Sequence, residues 1–250
     1  MYHTKNTQLQ AHLTHEHKQS PFSEYLREIV YGGIDGIVTT FAVVAGFSGA
    51  SIMGTQTLGI SFGVVLLFGF ANLFADATSM GLGNYLAILT EKDVYKKHKD
   101  KERVEVQDNP AMEAAETLAI LEEKGFSQAD AQQLVSIYQK NEPYWVDWMM
   151  NHELEMPNPE GVNPVFTALS TFASFLVFGT IPLIPYILTL GTPLNAFIFS
   201  IVGVVLALIL LGIVKGKVIG GGVFRSVAEM VLLGGVSAVI AFFVGTFFQM

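Results

Sequence analysis

The sequence has no cysteine in 250 residues. That excludes a disulfide framework, a thiolate zinc site, an iron–sulfur cluster and a cysteine nucleophile. Charge is also scarce: Asp, Glu, Lys and Arg make up 14% of the chain, against about a quarter in an ordinary soluble domain. So small a supply does not cover a water-facing surface. Basic residues are the scarcer sign, 14 against 22 acidic, for a net charge of −8, which argues against nucleic acid as the main partner. In place of charge the chain carries 51% hydrophobic residues and a mean hydropathy of +0.45. This is the composition of a membrane protein.

The few charges are unevenly placed. Between Glu28 and Glu91 only Asp35 and Asp76 are charged; Gly161–Val214 has no charge, and Ser226–Met250 has only Glu229. Divided into lengths that cross about 30 Å of hydrocarbon, these blocks predict five helices, near 34–53, 58–89, 165–189, 194–214 and 226–248. Turns fall at Gly54-Thr55-Gln56-Thr57 and Gly191-Thr192-Pro193. Every Lys and Arg lies in the N-terminal segment, in 91–160, or between the fourth and fifth spans. The positive-inside rule then places the N-terminus and the long loop in the cytosol and the C-terminus outside. The first 30 residues are polar and lack an apolar signal core, so the first span serves as an uncleaved targeting signal. His3, His12, His15 and His17 in this tail suit either a metal-sequestering arm or a plain disordered tail. The expected organisation is a cytosolic tail over 1–30, helices 1 and 2 within 31–90, a cytosolic domain over 91–160, and helices 3–5 within 161–250.

Residues 91–160 hold 16 acidic and 8 basic residues, so their net charge equals that of the whole chain. The segment is too long for a simple connection and is punctuated as a folded one. Residues 91–106 extend the second span as a charged helix. Asp108-Asn109-Pro110 starts a helix that Gly125 ends. Ser127 with Asp130 forms a capping box for a helix to about Lys140, and Pro143 opens a third, aromatic helix through Glu155. Glu102 and Glu105 are three apart, as are Glu113 and Glu116, while Met149 and Met150 precede Glu153 by four and three. Residues three apart share a helix face. The pattern suits a solvated acidic surface, or a site for a first-row divalent cation held by carboxylates with softer thioethers.

Acids inside a membrane helix cost about 2.5–3.5 kcal/mol on insertion scales and generally serve ion or proton movement. Asp35 lies within Gly32-Gly33-Ile34-Asp35-Gly36, near the start of its span. Asn72, Asp76 and Met80 follow one another at intervals of four as a polar stripe on the second helix. Asp35, Asp76 and Met80 together have the chemistry to hold a divalent cation. Glu229, early in the fifth span, fits the interface, and Pro182 and Pro185 fit a kink.

Asp35-Gly36-Ile37-Val38-Thr39-Thr40-Phe41-Ala42 and Ala71-Asn72-Leu73-Phe74-Ala75-Asp76-Ala77-Thr78-Ser79-Met80-Gly81-Leu82-Gly83 resemble the first two helices of the vacuolar iron transporter family. Trp145-Val146-Asp147-Trp148-Met149-Met150, Phe178-Gly179-Thr180-Ile181-Pro182-Leu183-Ile184-Pro185-Tyr186 and Leu211-Gly212-Ile213-Val214-Lys215-Gly216-Lys217 fit the same family, in order, over about 22–248. The resemblance implies an all-α homodimer of five-helix protomers, with a cytosolic three-helix metal-binding domain inserted between helices 2 and 3. It implies export of Fe²⁺, and also Mn²⁺, from the cytosol in exchange for protons. Metal would be gathered by Glu102, Glu105, Glu113, Glu116, Met149, Met150 and Glu153, and translocated past Asp35 and Met80. Eukaryotic members carry a glutamate two turns before that methionine. Asn72 stands there in this chain, with Asp76 one turn nearer as a replacement carboxylate. A prokaryotic member in a plasma membrane is the expectation.

Enzymatic readings lack required residues. Gly46-Phe47-Ser48-Gly49 matches the Gly-x-Ser-Gly of intramembrane serine proteases, but all six histidines lie outside the predicted spans, so the base is missing. His152-Glu153-Leu154-Glu155-Met156 lacks the second histidine of His-Glu-x-x-His. No Gly-x-x-x-x-Gly-Lys-[Ser/Thr] phosphate loop occurs. A membrane-anchored metal sensor would use the acidic segment but has no need of acids within the bilayer, and an uncoupled channel is the other alternative.

Overall fold

The computed structural model describes residues 25–52, 62–188 and 193–247. The N-terminal histidines, the turn at 54–57 and most of the turn at 191–193 lie outside the described residues. All regular structure among the described residues is helical. The long elements are α1 (Leu26–Ile52), α2 (Phe62–Asp108), α3 (Pro110–Glu123), α4 (Gln128–Tyr138), α5 (Glu142–His152), α6 (Pro164–Thr180), the short α7 (Ile184–Ile187), α8 (Pro193–Ile219) and α9 (Val223–Phe247). They fall into two units, one up to Asn84 and again from Val165, the other Tyr85–Pro164.

Five stretches in these helices are long and apolar enough to cross a membrane: Leu26–Gly49, Gly63–Asp108, Pro164–Ile187, Leu194–Ile219 and Val223–Thr246. The first begins eight residues before the predicted span because Arg27 and Glu28 end the charge-free run without ending the helix. Backbone hydrogen bonding does not stop at the hydrocarbon boundary. At 47 residues, α2 is about 70 Å long, more than twice the hydrocarbon thickness; its charged part from Glu91 onward is the part beyond a membrane.

In the first unit α1 is the helix around which the others close, with Ile37, Phe41, Val44 and Ala45 buried in a core shared with Leu73, Phe175, Leu183, Leu208 and Leu211. Lipid tails are as apolar as leucine, so helices in a bilayer associate through close packing and polar bonds. Gly36 permits that packing: a Cβ there would lie 2.5 Å from the Phe175 carbonyl oxygen on α6. One turn earlier a Cβ on Gly32 would lie 2.7 Å from the Thr171 oxygen. Ser174 adds a hydrogen bond from its hydroxyl to the Ile29 carbonyl, 2.6 Å. Outward, Leu67, Phe74, Leu82, Leu206, Leu232 and Val236 are more than half exposed, as expected where the solvent is hydrocarbon.

Pro182 and Pro185 do break their helix, and the chain passes through a 3₁₀ turn, Ile181–Leu183, before α7. The Ser200 hydroxyl on α8 donates to the Pro182 carbonyl at 2.8 Å, which meets the demand that backbone groups be satisfied inside a membrane.

The second unit is built by local signals. Pro110 occupies the first turn of α3. Gly125 adopts φ +95°, the left-handed conformation that suits glycine after a helix, while Phe126 and Gly125 donate to the carbonyls of Leu121 and Glu122. Ser127 caps α4 by accepting from Asp130 N, and Asn141 caps α5 by accepting from Tyr144 N. α5 ends at His152, three residues short of the predicted Glu155, where φ is +49°. Its core holds Tyr95, Val106, Leu121, Val135, Trp145, Val146, Met149 and Met150. Lys99 on α2 pairs with Asp147 on α5 at 2.5 Å, and Gln107 donates to Glu142 at 2.8 Å.

Gly36→Ala is expected to lower the thermal stability of the detergent-solubilised protein by about 1–3 kcal/mol through overpacking against backbone. Gly83→Ala, where a Cβ meets nothing within 4 Å, is expected to be neutral or stabilising. Thermal unfolding of the two variants side by side checks this.

Candidate metal centre

Three carboxylates converge in the second unit from three different places in the sequence. Glu102 comes from α2, Glu113 from the first turn of α3, and Glu153 from the residue that caps α5. One oxygen of each lies within 4.8 Å of the others. Glu102 and Glu113 are only 3% and 6% exposed, and Glu102 Oε1 has no hydrogen-bond partner among the described residues. Three oxygens bound to one first-row ion at about 2.1 Å lie about 3–4 Å apart, so the cluster would have to contract for all three to share an ion.

The electrostatics follow from that crowding. Burial, then the charges of Glu153 and Glu113 and a hydrogen bond with Glu113, push the Glu102 carboxyl up to about 8. Glu113 is raised by burial and by Glu116, and Glu153 by burial and by Glu116, Glu113 and Glu105. All five predicted glutamates therefore act on one another. Lys101, which pairs with Glu105 at 3.2 Å, opposes the shifts of Glu113 and Glu153. A divalent cation would supply the positive charge that this cluster is short of.

The two methionines are fully buried. The Met149 sulfur lies 3.2 Å from the Thr117 hydroxyl. That hydroxyl lies 2.7 Å from the Glu113 carbonyl as donor and accepts from the Trp145 indole at 2.8 Å. Met149 thus sits behind the turn of α3 that carries Glu113, and Met150 lies in the same core. Thr117 has no distinguishing sequence signal beyond its place one turn after Glu113.

In the first unit Asp35 on α1 is half-buried and Asp76 on α2 lies within electrostatic reach of it. The Asn72 side-chain amide donates to Asp76 at 2.7 Å, so Asn72 orients the carboxylate one turn further along α2. Met80 is half-buried against the core. The same spacing of four continues to Asn84, a residue that sequence analysis did not select, whose amide donates to Thr171 on α6 at 2.8 Å. Glu229 lies in the second turn of α9 and pairs with Lys215 and Arg225, each at 2.9 Å. Ser48 of the protease-like motif hydrogen-bonds to the Tyr186 hydroxyl at 3.2 Å.

The VIT family profile matches residues 26–246. The chain is 37% identical to the vacuolar iron transporter of Toxoplasma gondii over 97% of its own length and 81% of that protein. It is 32% identical to vacuolar iron transporter 1 of Oryza sativa subsp. japonica, covering 93% of this chain and 89% of that one. Against vacuolar iron transporter 1 of Arabidopsis thaliana identity is 33%, with 91% and 88% covered.

The raised carboxyls fix the sign of a pH effect. Glu102 ionises near 4.5 when unfolded and near 8 when folded, so without metal the fold loses stability as pH rises through that interval. Metal displaces those protons. Affinity of the full-length protein for Mn²⁺, read by titration calorimetry, is expected to rise between pH 6 and 8 by about tenfold per unit for each proton displaced. Glu102→Gln is expected to weaken binding and flatten that slope.

Proposed function

The chain belongs to the VIT family, and from that premise we propose that it exports Fe²⁺ from the cytosol, and also Mn²⁺, in exchange for protons. It is a transporter and not an enzyme. The observation that carries the reading is the convergence of Glu102, Glu113 and Glu153, drawn from three elements into one cluster in which Glu102 and Glu113 are buried. Acids gathered at such cost suit a positively charged cargo. Iron as that cargo is supported by the printed names of the relatives.

In this reading the protein is a homodimer, and 91–160 is a cytosolic metal-binding domain inserted between the second and third membrane helices. The tail 1–30 is cytosolic and the C-terminus outside, the arrangement favoured by the Lys and Arg distribution. A plasma membrane is the proposed location. Glu102, Glu105, Glu113, Glu116 and Glu153, with Met149 and Met150, collect the ion. Asp35, Asp76 and Met80 then carry it across, with Asn72 holding Asp76 in place. Protons from the far side compete with the ion for the carboxylate oxygens and release it. The acid pair within the membrane helices favours transport over sensing, because insertion of each acid has a cost that a sensor need not meet.

Fe²⁺ uptake into proteoliposomes, with Mn²⁺ alongside, tests the proposal. Uptake is expected to rise with an imposed pH gradient and to fall at least about tenfold in Asp35→Asn and in Asp76→Asn, the loss of about 1.4 kcal/mol of ion or proton stabilisation. Equal uptake in both variants, or uptake indifferent to the gradient, would refute the coupled mechanism. No uptake of either ion by a protein that still binds metal would favour the sensor.

A further inference from the structure

A cavity of ≈ 400 Å³ lies in the first unit between α1, α8 and α9. Its walls are wholly apolar, among them Phe41, Ala45, Phe197, Leu208, Gly234 and Phe242. Its rim includes Val239 and Phe243, which are 55% and 59% exposed, so it opens on the side where these helices meet hydrocarbon. On α9 the lining runs from Val231 to Phe243, about 18 Å at 1.5 Å per residue. One leaflet contributes about 15 Å to the hydrocarbon thickness. The groove is therefore about as long as a leaflet is deep.

One end of the groove points toward positive charge. Arg225 on the same helix is six residues before Val231, about 9 Å along the axis, and its side chain is 86% exposed. On α8, Lys215 is two turns beyond the groove-lining Leu208 on the same face and is half-buried. Glu229 pairs with Lys215 and Arg225, and the three groups together keep a net charge of +1. Phe224, 88% exposed beside Arg225, has the aromatic character of a residue anchored at the membrane–water boundary. Arginine and lysine stems reach from apolar surroundings to that boundary.

We propose that this face binds an anionic phospholipid, its headgroup on Lys215 and Arg225 and one acyl chain in the groove between α1, α8 and α9. The apolar groove and the cationic end are independent features, and their order along α9 is the order of chain and headgroup in a leaflet. The occupant is a lipid because the surrounding solvent is lipid and the charge at the groove's end is complementary to an acidic headgroup. The inference rests on the membrane spans and not on the identity of the transported ion.

The test uses full-length protein, delipidated in detergent and then offered equal amounts of dioleoyl-phosphatidylglycerol and dioleoyl-phosphatidylcholine. Native mass spectrometry counts the lipids retained. Wild-type protein is expected to retain phosphatidylglycerol in preference. Arg225→Gln is expected to lower that preference about fivefold, and adding Lys215→Gln to lower it further. A Cβ on Gly235, which lines the groove, meets nothing within 4 Å. Gly235→Leu is therefore expected to fill the groove and lose both lipids, while Gly235→Ala keeps them. An unchanged lipid count in cooperatively folded Gly235→Leu, or an unchanged preference in the charge variants, would overturn the proposal. Conversion of a dimer to a monomer by Gly235→Leu, with lipid retention unaltered, would overturn it too and assign the groove to a second copy of the chain. Because no step reads Fe²⁺ uptake, failure here is distinguishable from failure of the transport reading.

Discussion

Contact between the backbones of α1 and α6 at Gly36 is the constraint on which the membrane unit depends. In water, burial of apolar surface would bring these helices together, but in hydrocarbon that term nearly vanishes. What remains is dispersion at short range and hydrogen bonds such as Ser174 to the Ile29 carbonyl. Both require the helices to approach more closely than a side chain at position 36 allows. Asp35 is the next residue along, so the same approach that stabilises the unit fixes an acid at its centre. Structure and chemistry are set by one tripeptide, Ile34-Asp35-Gly36.

The second unit balances a different pair of terms. Its folding depends on ordinary aqueous burial, with Trp145, Val146, Met149 and Met150 in the core. Against that core it holds carboxylates that repel one another and are partly withdrawn from water. Such a cluster destabilises the fold that creates it, and it persists because the helices around it are capped, paired by Lys99 with Asp147, and packed independently of it. Energy lost there would be recovered on binding a cation, because metal and protons compete for the same oxygens.

Much of this was legible from the sequence, and the rest fails for identifiable reasons. The five apolar helices follow from where charge is absent. Pro110, Gly125 and Ser127 announce their helix ends because capping is a local matter. The start of α1 was set too late because Arg27 and Glu28 mark a membrane boundary and not a helix boundary. The glutamates show the deeper limit. Spacing paired Glu102 with Glu105 and Glu113 with Glu116, each pair on one helix face. The fold instead joins one member of each pair to Glu153 across three elements, and no local periodicity encodes that convergence. Asn84, by contrast, continues a visible stripe, and extending it by one more turn would have found it.

Both tryptophans of the chain, Trp145 and Trp148, lie in α5. The indole of Trp145 is hydrogen-bonded to Thr117, whose hydroxyl lies within donor distance of the Glu113 carbonyl. Trp148 packs in a tilted ring contact at 4.6 Å against His152, the neighbour of Glu153. The tryptophan emission of this protein therefore originates entirely beside the carboxylate cluster. The membrane helices contribute no tryptophan, and the molecule carries its own optical gauge of the acidic unit without any label.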